Sequence, residues 1–293
     1  MTRPAVLLMA HGTPTSLDEM PEYLQLVRGG RPPSPELINE MRHNYEAIGG
    51  RSPLTDITLA QADALRARLE WPVAVGMRNW RPFIKDAFAG LVAAGADCVI
   101  GIPLAPQFST LSVQKYLEAA TAAQPAGVRF TAVRSFATHP LLLEAFAEHL
   151  RQAAPRADED VVFTAHSLPV RAIDAGDPYA HEVGATAHGV AERAGVRTYS
   201  IAYQSAGRTP EPWIGPDLND TIRERAASGR RRLLIAPIGF VCDHTEVLFD
   251  IDVQAAATAR EGGIELRRTA SLNTSPTFIR LLEDLARKVK TEN

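Results

Sequence analysis

Eight short apolar runs alternate along this chain with longer segments whose apolar residues recur at helical spacing. The runs have the length and composition of buried strands, and they cover residues 5–9, 73–76, 98–102, 129–134, 161–164, 198–202, 232–236 and 264–268. Helical patterns lie between them, for example at residues 59–69, 81–93, 141–151, 179–194 and 217–228. Such alternation is typical of parallel sheets covered by helices on both faces. We therefore expect an α/β fold with two similar Rossmann-like domains, each a four-stranded parallel sheet flanked by helices.

A weak internal repeat favours this division into halves. The string AHGTP at residues 10–14 and the string AHSLP at residues 165–169 each follow a strand-like run. Likewise, GIPLAP at residues 101–106 resembles IAPIGF at residues 235–240. We predict a first domain at residues 1–135, a linker near residues 135–140 and a second domain at residues 136–275. The last helix, at residues 276–293, is expected to complete the first domain.

One segment is too long for an ordinary loop between a strand and a helix. About fifty residues separate the first strand from the helix predicted at residue 59, and such connections are usually much shorter. The segment contains helical patterns at residues 20–28 and 35–48. Long excursions at the carboxyl end of a sheet often form part of a binding site. We interpret the insertion, at about residues 15–55, as one wall of a cleft.

Composition and charge narrow the function classes. The formal net charge is −3, which gives no basic field for nucleic acid. No apolar stretch reaches the roughly 18 residues of a membrane-spanning helix, and the amino-terminal residues are typical of a strand rather than a signal peptide. Only Cys98 and Cys242 are present, too few for a four-cysteine iron–sulfur or zinc site. We expect free thiols, no iron–sulfur cluster and a cytoplasmic location.

Two histidines, His11 and His166, follow strand-like runs in different halves of the chain. The carboxyl ends of parallel strands are where such sheets bind ligands, although a lone histidine there is also a common hydrogen-bonded turn residue. The segment at residues 237–252 adds Glu246 and Asp250, which are four apart and would share a helix face. A solvated acidic face is the alternative. The apolar neighbours Val247 and Leu248 favour a partly dry cleft for Glu246.

His166 and Glu246 would meet at one edge of the second sheet. Imidazole and carboxylate suit a borderline ion such as Fe²⁺, and a desolvated histidine–carboxylate pair also suits proton abstraction. The chain has no G-x-S-x-G elbow, G-x-G-x-x-G string or P-loop. The residues therefore predict neither a covalent nucleophile nor a bound nucleotide.

Eight strings, which occur in the same order in one enzyme family, give this chain a specific resemblance. They are MAHGTP (9–14), YEAIGGRSPL (45–54), LAPQFST (104–110), SVQKY (112–116), TAHSLP (164–169), YQS (203–205), PWIGP (212–216) and GFVCDHTEVLFDID (239–252). The chain resembles the ferrochelatases, which insert Fe²⁺ into a porphyrin, and among them the soluble bacterial coproporphyrin III ferrochelatases. The resemblance implies a chelatase-like fold in which two Rossmann-like domains clamp the porphyrin.

The resemblance also implies roles for individual residues. His166 would bind the metal and deprotonate the porphyrin, Glu246 would be its carboxylate partner, and Asp250 would lie farther out on the metal path. His11 stands where those enzymes often carry a tyrosine that ligates the product iron, so we expect His11 to be an axial ligand. The positions that match porphyrin-binding residues are His11, Arg28, Asn44, Tyr45, Ser52 and Tyr116.

Three positions depart from the family pattern. Asn44 replaces an arginine, which removes one ionic anchor for a propionate. Gln254 replaces a glutamate and weakens a second metal site. Asn79 replaces a histidine found in some relatives, which argues against an essential ligand there.

The expected activity is insertion of Fe²⁺ into coproporphyrin III, giving coproheme III in haem biosynthesis. Protoporphyrin IX as substrate is one alternative, a chelatase that inserts cobalt or nickel into a corrinoid precursor is a second, and a non-catalytic tetrapyrrole carrier is a third. Fe²⁺ would be a substrate, with no permanent cofactor. The expected partners are the porphyrin, Fe²⁺ and, transiently, neighbouring haem-pathway enzymes, without nucleic acid or a membrane span.

Overall fold

Two four-stranded parallel sheets form the framework of the protein. The computed structural model describes residues 2–207 and 209–291. The first sheet contains β1 (Pro4–Ala10), β2 (Val73–Met77), β3 (Cys98–Pro103) and β4 (Arg129–Ala132), in the order β2-β1-β3-β4. The second contains β5 (Asp160–His166), β6 (Tyr199–Gln204), β7 (Arg232–Pro237) and β8 (Glu265–Arg268), in the order β6-β5-β7-β8. The predicted fold class and all eight predicted strands are confirmed.

The two sheets have the same topology. In the first, Leu8 pairs with Val75 and Ile102, and in the second Val162 pairs with Ser200 and Ile235. In each half the first strand therefore lies between the second and third, with the fourth at the edge. This shared order places the ends of β1 and β5 centrally at the carboxyl edges of their sheets, where parallel α/β folds bind ligands.

Twelve α-helices connect and cover the strands within the described part of the chain. They are α1 (Met20–Val27), α2 (Pro35–Ala47), α3 (Leu54–Leu69), α4 (Ile84–Ala93), α5 (Val113–Ala123), α6 (Pro140–Gln152), α7 (Val170–Asp174), α8 (Tyr179–Ala194), α9 (Leu218–Ala227), α10 (Thr245–Leu248), α11 (Ala256–Glu261) and α12 (Pro276–Thr291). A 3₁₀ turn at Leu17–Glu19 precedes α1, and a π-helix at Asp250–Ala255 joins α10 to α11.

Two helix starts differ from the prediction by more than one residue. Helix α3 begins at Leu54, before the expected residue 59, and buries Leu54 and Thr58. Because β-branched Thr55 and Thr58 lower helix propensity, tertiary burial decides this first turn. Helix α4 begins at Ile84 rather than residue 81, because Phe83 before it is extended and forms an isolated bridge with Met77.

A continuous apolar core joins the two halves. It contains Leu8 and Ile100 of the first sheet, Phe163 of the second, Phe146 of α6 and Phe278 of α12. Helix α12 packs against α3, β3 and α6, so the carboxyl-terminal segment does return to the first sheet. The domain limits at residues 135, 136 and 275 stay a prediction, and residues 1, 292 and 293 of the predicted domains lie outside the described residues.

Buried polar contacts also fix one half against the other. Asp177, ahead of α8, accepts hydrogen bonds from Ser109 Oγ at 3.0 Å and from both the backbone N and Oγ1 of Thr110 at 2.7 Å. Gln107 Nε2 donates to Thr186 Oγ1 and to the Ile238 carbonyl, each at 3.1 Å. These bonds connect the loop after β3 to α8 and to the end of β7, and they set the spacing of the two carboxyl edges.

Both cysteines are buried and free, as expected. Burial raises the pKa of the Cys242 thiol to about 12, which leaves it a poor nucleophile. Among the helices described here, none combines the length and apolar character needed to cross a bilayer.

Candidate active site

Each histidine turn depends on a glycine. Gly12 follows His11 with φ +89°, and a Cβ there would lie 2.8 Å from the backbone N of Trp80. Gly239 follows β7, and a Cβ there would lie 2.7 Å from the Cβ of Ala165, the neighbour of His166. Only glycine allows backbone to approach this closely. Both histidines are thus positioned by packed backbone rather than by mobile loops.

The structure brings His166 and Glu246 together. His166 is the last residue of β5, and its Nδ1 lies 2.8 Å from Glu246 Oε2 of α10. Both side chains are about one-third exposed, at 34% and 37% respectively, so the pair lines an accessible cleft. The expected meeting at the edge of the second sheet is observed. A hydrogen bond from Nδ1 leaves Nε2 as the ring nitrogen available to a substrate.

Neighbouring residues orient this pair. Gln204 pairs with His166 in the sheet and donates from Nε2 to the Glu246 carbonyl at 2.6 Å. His244 Nε2 lies 4.0 Å from Glu246 Oε2, and its Nδ1 lies 3.1 Å from the Cys242 carbonyl. His244 therefore adds a second imidazole beside the same carboxylate.

The pKa values of His166 and Glu246 are shifted in opposite directions. Burial opposes the charged forms of both groups, but the mutual attraction and their hydrogen bond prevail. The pKa of His166 is raised above its ordinary value by the Glu246 carboxylate. Although burial acts against it, the histidines around Glu246 lower the pKa of that carboxyl to about 2. His166 is accordingly a stronger base than free imidazole, held against a permanent anion.

Asp250 lies beyond Glu246 at the start of the π-helix. It accepts a hydrogen bond from Ser205 Oγ, and burial followed by repulsion from Glu246 raises its pKa to about 7. It borders a cavity of about 480 Å³ whose polar lining comes from both halves of the chain: Glu40, His43, Asn44, Gln204, Ser205, Asp217, Asn219, Asp250 and Gln254. Glu246 lies in α10, and Asp250 begins the π-helix that follows it. Asp252, two residues farther on, pairs with Arg268 at 2.7 Å.

His11 lies in the first half with its ring open to the cleft. Its Nε2 is 3.0 Å from Asn79 Nδ2, and its Nδ1 is 3.1 Å from the Gly12 carbonyl and 3.3 Å from the Tyr23 hydroxyl. Burial lowers the pKa of His11 despite attraction from Glu246. His11 is therefore a neutral imidazole, the form that ligates metals.

The other predicted porphyrin-binding residues occupy different environments. Tyr45 is buried and its hydroxyl is 2.7 Å from Thr13 Oγ1. Tyr116 and Ser52 are also buried, Asn44 borders the cavity, and Arg28 is exposed at the end of α1. Burial raises the pKa of Tyr116, so its hydroxyl stays protonated. Their roles toward a porphyrin stay predictions.

Sequence reasoning missed residues that act through hydrogen bonds to the site. Tyr23 joins His11 to Tyr45, since its hydroxyl contacts both side chains. Gln204 and Ser205 were noted only as part of a family string, not for the contacts they make. For Gln204 and Ser205, the available signal was a pair of polar residues close to the end of the strand predicted at residues 198–202. Nothing local distinguished Tyr23 from a core tyrosine.

The donor set has no closed metal cage. Within residues 2–207 and 209–291, no group of three or more His, Cys, Asp and Glu side chains is arranged to hold an ion. Two adjacent donors beside an open cleft suit a metal that passes through on its way to another ligand set.

Solved structures share the fold at low sequence identity. The sirohydrochlorin chelatase SirB from Bacillus subtilis subspecies spizizenii, solved with cobalt, aligns with a TM-score of 0.63 and 11% identity, over 100% of this chain and 97% of that one. CbiX, the terminal enzyme of sirohaem biosynthesis in denitrifying bacteria, aligns with a TM-score of 0.54 and 14% identity, over 97% of this chain and 98% of that one. The chelatase-like fold expected from the sequence is confirmed.

Sequence comparisons identify the family. The Ferrochelatase family model matches residues 3–290. A ferrochelatase of Herpetosiphon aurantiacus is 40% identical over 95% of this chain and 96% of its own length. A coproporphyrin III ferrochelatase of a Geobacillus species is 36% identical over 97% of this chain and 96% of its own length. The protein with the His166–Glu246 pair at its cleft therefore belongs to the ferrochelatase family, the enzymes that insert Fe²⁺ into a porphyrin.

Proposed function

We propose that coproporphyrin III is the porphyrin substrate and coproheme III the product. Relatives that carry this substrate in their names match nearly the whole chain, although other relatives are named only as ferrochelatases. Coproporphyrin III has four carboxylate side chains, which favour an open, polar cleft. The conclusion that the site inserts a metal depends on one observation, the 2.8 Å contact between His166 and Glu246.

His166 is proposed to accept the pyrrole protons and to receive the ion. Two N–H protons leave the ring for each Fe²⁺ that enters. The site must therefore carry two protons away while it delivers one dication. With Nδ1 bonded to Glu246, the Nε2 lone pair is free to take a proton. The carboxylate stabilises the imidazolium that forms and attracts the incoming cation.

Asp250 is proposed to lie on the path between solvent and this pair. It borders the polar cavity and is four residues from Glu246. A carboxyl whose pKa is about 7 can be neutral or anionic near neutral pH. Asp250 can thus take the proton that leaves or contact the ion that arrives.

On the other side of the cleft, His11 is proposed to ligate the product iron. Arg28, Asn44, Tyr45, Ser52 and Tyr116 are proposed to hold the propionates, with Arg28 making the charge-assisted contact. The Tyr45 hydroxyl already forms a hydrogen bond with Thr13, so a propionate that binds Tyr45 would replace this hydrogen bond.

Replacing His166 tests the catalytic assignment. We expect His166→Ala to lower the rate of Fe²⁺ insertion by about 10²- to 10⁴-fold, because the base and metal acceptor are lost. Porphyrin binding, measured by fluorescence quenching, should change little. His188→Ala, at an exposed position on α8, is the control and should retain full turnover. Near-normal turnover in His166→Ala would refute the role.

Comparison of two porphyrins tests the substrate. We expect kcat/KM for coproporphyrin III to exceed that for protoporphyrin IX by about tenfold or more. Protoporphyrin IX has fewer carboxylates, so the polar contacts that the site makes to the additional ones are lost. A preference for protoporphyrin IX would overturn the substrate assignment. Binding of both porphyrins without any Fe²⁺-dependent absorbance change would instead favour a tetrapyrrole carrier.

The remaining proposals concern the cellular setting. We propose a cytoplasmic enzyme that uses Fe²⁺ only as a substrate, needs no permanent cofactor and passes its product to neighbouring haem-pathway enzymes by transient contact. Metal analysis of the purified protein should find far less than one iron per chain.

A further inference from the structure

We infer that Asn79 is a positioning residue whose side-chain amide occupies the Nε2 lone pair of His11, so that iron must displace the Asn79 amide to be ligated by His11. The consequence is weaker binding of the metallated product. This inference rests on the proposed role of His11 as an axial ligand and assigns a function to the residue beside it.

The backbone holds Asn79 next to His11. Asn79 N donates to the His11 carbonyl at 2.9 Å, and Arg78 N donates to the Ala10 carbonyl at 2.9 Å, so the two chain segments continue side by side beyond β1 and β2. Asn79 is only 7% exposed. Its side-chain amide lies 3.0 Å from His11 Nε2, within normal hydrogen-bond distance.

The contacts of Nδ1 decide the tautomer. The Gly12 carbonyl, 3.1 Å from Nδ1, has no proton and can only accept, so Nδ1 must carry the hydrogen. A neutral imidazole then has its lone pair on Nε2, and the amide of Asn79 must be the donor to it. The Tyr23 hydroxyl, 3.3 Å from Nδ1, can accept as well and donate onward to Tyr45. In this arrangement the His11 Nδ1–H, the Asn79 amide and the Tyr23 hydroxyl each donate to an acceptor.

The tautomer determines what His11 can offer to iron. Only the nitrogen with the lone pair can be a ligand, and in His11 that nitrogen already accepts a hydrogen bond from a buried amide. Ligation therefore exchanges one bond for another. The product is held less tightly than by a free imidazole, which favours its release.

A measurement without porphyrin tests the geometry first. In wild-type protein, ¹⁵N NMR of the His11 ring should show a protonated Nδ1 and an unprotonated Nε2. Asn79→Leu, which has a similar shape and no donor, should keep this tautomer, because the Gly12 carbonyl still accepts from Nδ1, but should shift the Nε2 resonance to that of a lone pair without a hydrogen bond. Tyr23→Phe, which removes the other side-chain contact of Nδ1, should leave the tautomer unchanged. An Nε2–H tautomer in the wild type would overturn the inference whether or not the variants fold.

A binding experiment then tests the consequence. We expect Asn79→Leu to bind iron coproporphyrin about three- to tenfold more tightly than wild type, the range expected for one competing hydrogen bond, with a Soret band that reports stronger axial ligation. His11→Ala should remove both effects, and the double variant should match His11→Ala.

The four proteins separate the possible failures. If His11→Ala changes neither the product affinity nor the spectrum, the proposed axial ligand is wrong. If His11→Ala changes both while Asn79→Leu equals wild type, the role of His11 stands and the inference about Asn79 is refuted.

Discussion

Several titratable side chains converge on Glu246, and their pKa values are shifted in different directions. With His166, His244 and His11 around it, Glu246 has a pKa of about 2 and is an anion throughout the neutral range. Asp250, whose pKa is about 7, changes charge near neutrality, and the pKa of His166 is raised above its ordinary value by the Glu246 carboxylate. One fixed anion between two titrating groups is suited to moving protons past a cation.

The raised pKa of Asp250 predicts how stability depends on pH. Its ordinary pKa is 3.8, so between that value and about 7 the folded state binds more protons than the unfolded state. Stability should therefore fall as pH rises through this window. We expect Asp250→Asn to raise the Tm relative to wild type at about pH 8, and to have little effect below about pH 4.

Thermal denaturation of the metal-free protein at several pH values measures this difference. Asp174→Asn, an exposed substitution on α7, controls for the loss of one charge and should give a small offset. A Tm difference for Asp250→Asn that does not grow with pH would contradict the raised pKa.

At the scale of secondary structure, neighbouring strand ends position His166 and Glu246, the proposed catalytic pair. His166 and Gln204 end neighbouring strands and bind the carboxylate and the carbonyl of Glu246 respectively. The π-helix after α10 widens the next turn where Asp250 contacts Ser205. Such π turns often mark functional sites.

Gly239 provides a test of this positioning. In Gly239→Ala the new Cβ would clash with Ala165 at 2.7 Å and displace the end of β5. We expect a loss of about 1–3 kcal/mol in the free energy of unfolding, as for other overpacked sites. We also expect kcat to fall by about 10- to 100-fold, because His166 would move relative to the porphyrin.

Gly184→Ala is the matched control for this glycine. A Cβ at residue 184 of α8 meets no atom within 4 Å, so alanine there should be neutral or stabilising. If Gly239→Ala kept both wild-type stability and kcat, the end of β5 would not be fixed by this contact.

At the scale of the whole molecule, two sheets with the same strand order face one site. The cleft exists because the halves are joined through the apolar core and through Asp177 and Gln107. His11 follows β1 of one sheet and His166 ends β5 of the other, so the distance between the two histidines depends on this interface.

Asp177→Ala tests the interface. Removing the carboxylate leaves Ser109 and the Thr110 amide without that acceptor, and we expect the free energy of unfolding to fall by about 2–4 kcal/mol. Porphyrin affinity should fall too, since the two sides of the cleft would no longer be held in register. Denaturant unfolding and porphyrin titration measure the two effects.

Asp220→Ala, which breaks an exposed ion pair with Arg223, is the control and should cost less than about 1 kcal/mol. An Asp177→Ala protein that unfolds and binds porphyrin like this control would show that Asp177 does not join the halves.

Much of the framework was predictable because it is encoded locally. Short apolar runs predict the eight strands. Because parallel strands end at one edge of a sheet, the sequence also predicts that His166 and Glu246 lie close together. Helix α3 was predicted too short, since the first turn is stabilised by burial of Leu54 and Thr58 rather than by propensity.

By itself, the sequence determined the α/β class, the two sheets of four strands and the candidate site residues, because periodicity and strand ends are properties of neighbouring positions. Only the tertiary structure decided that Asn79 bonds to His11, that Tyr23 joins His11 to Tyr45, and that Asp250 has a raised pKa. Those features depend on distances and burial between residues far apart in the chain, which no local pattern specifies.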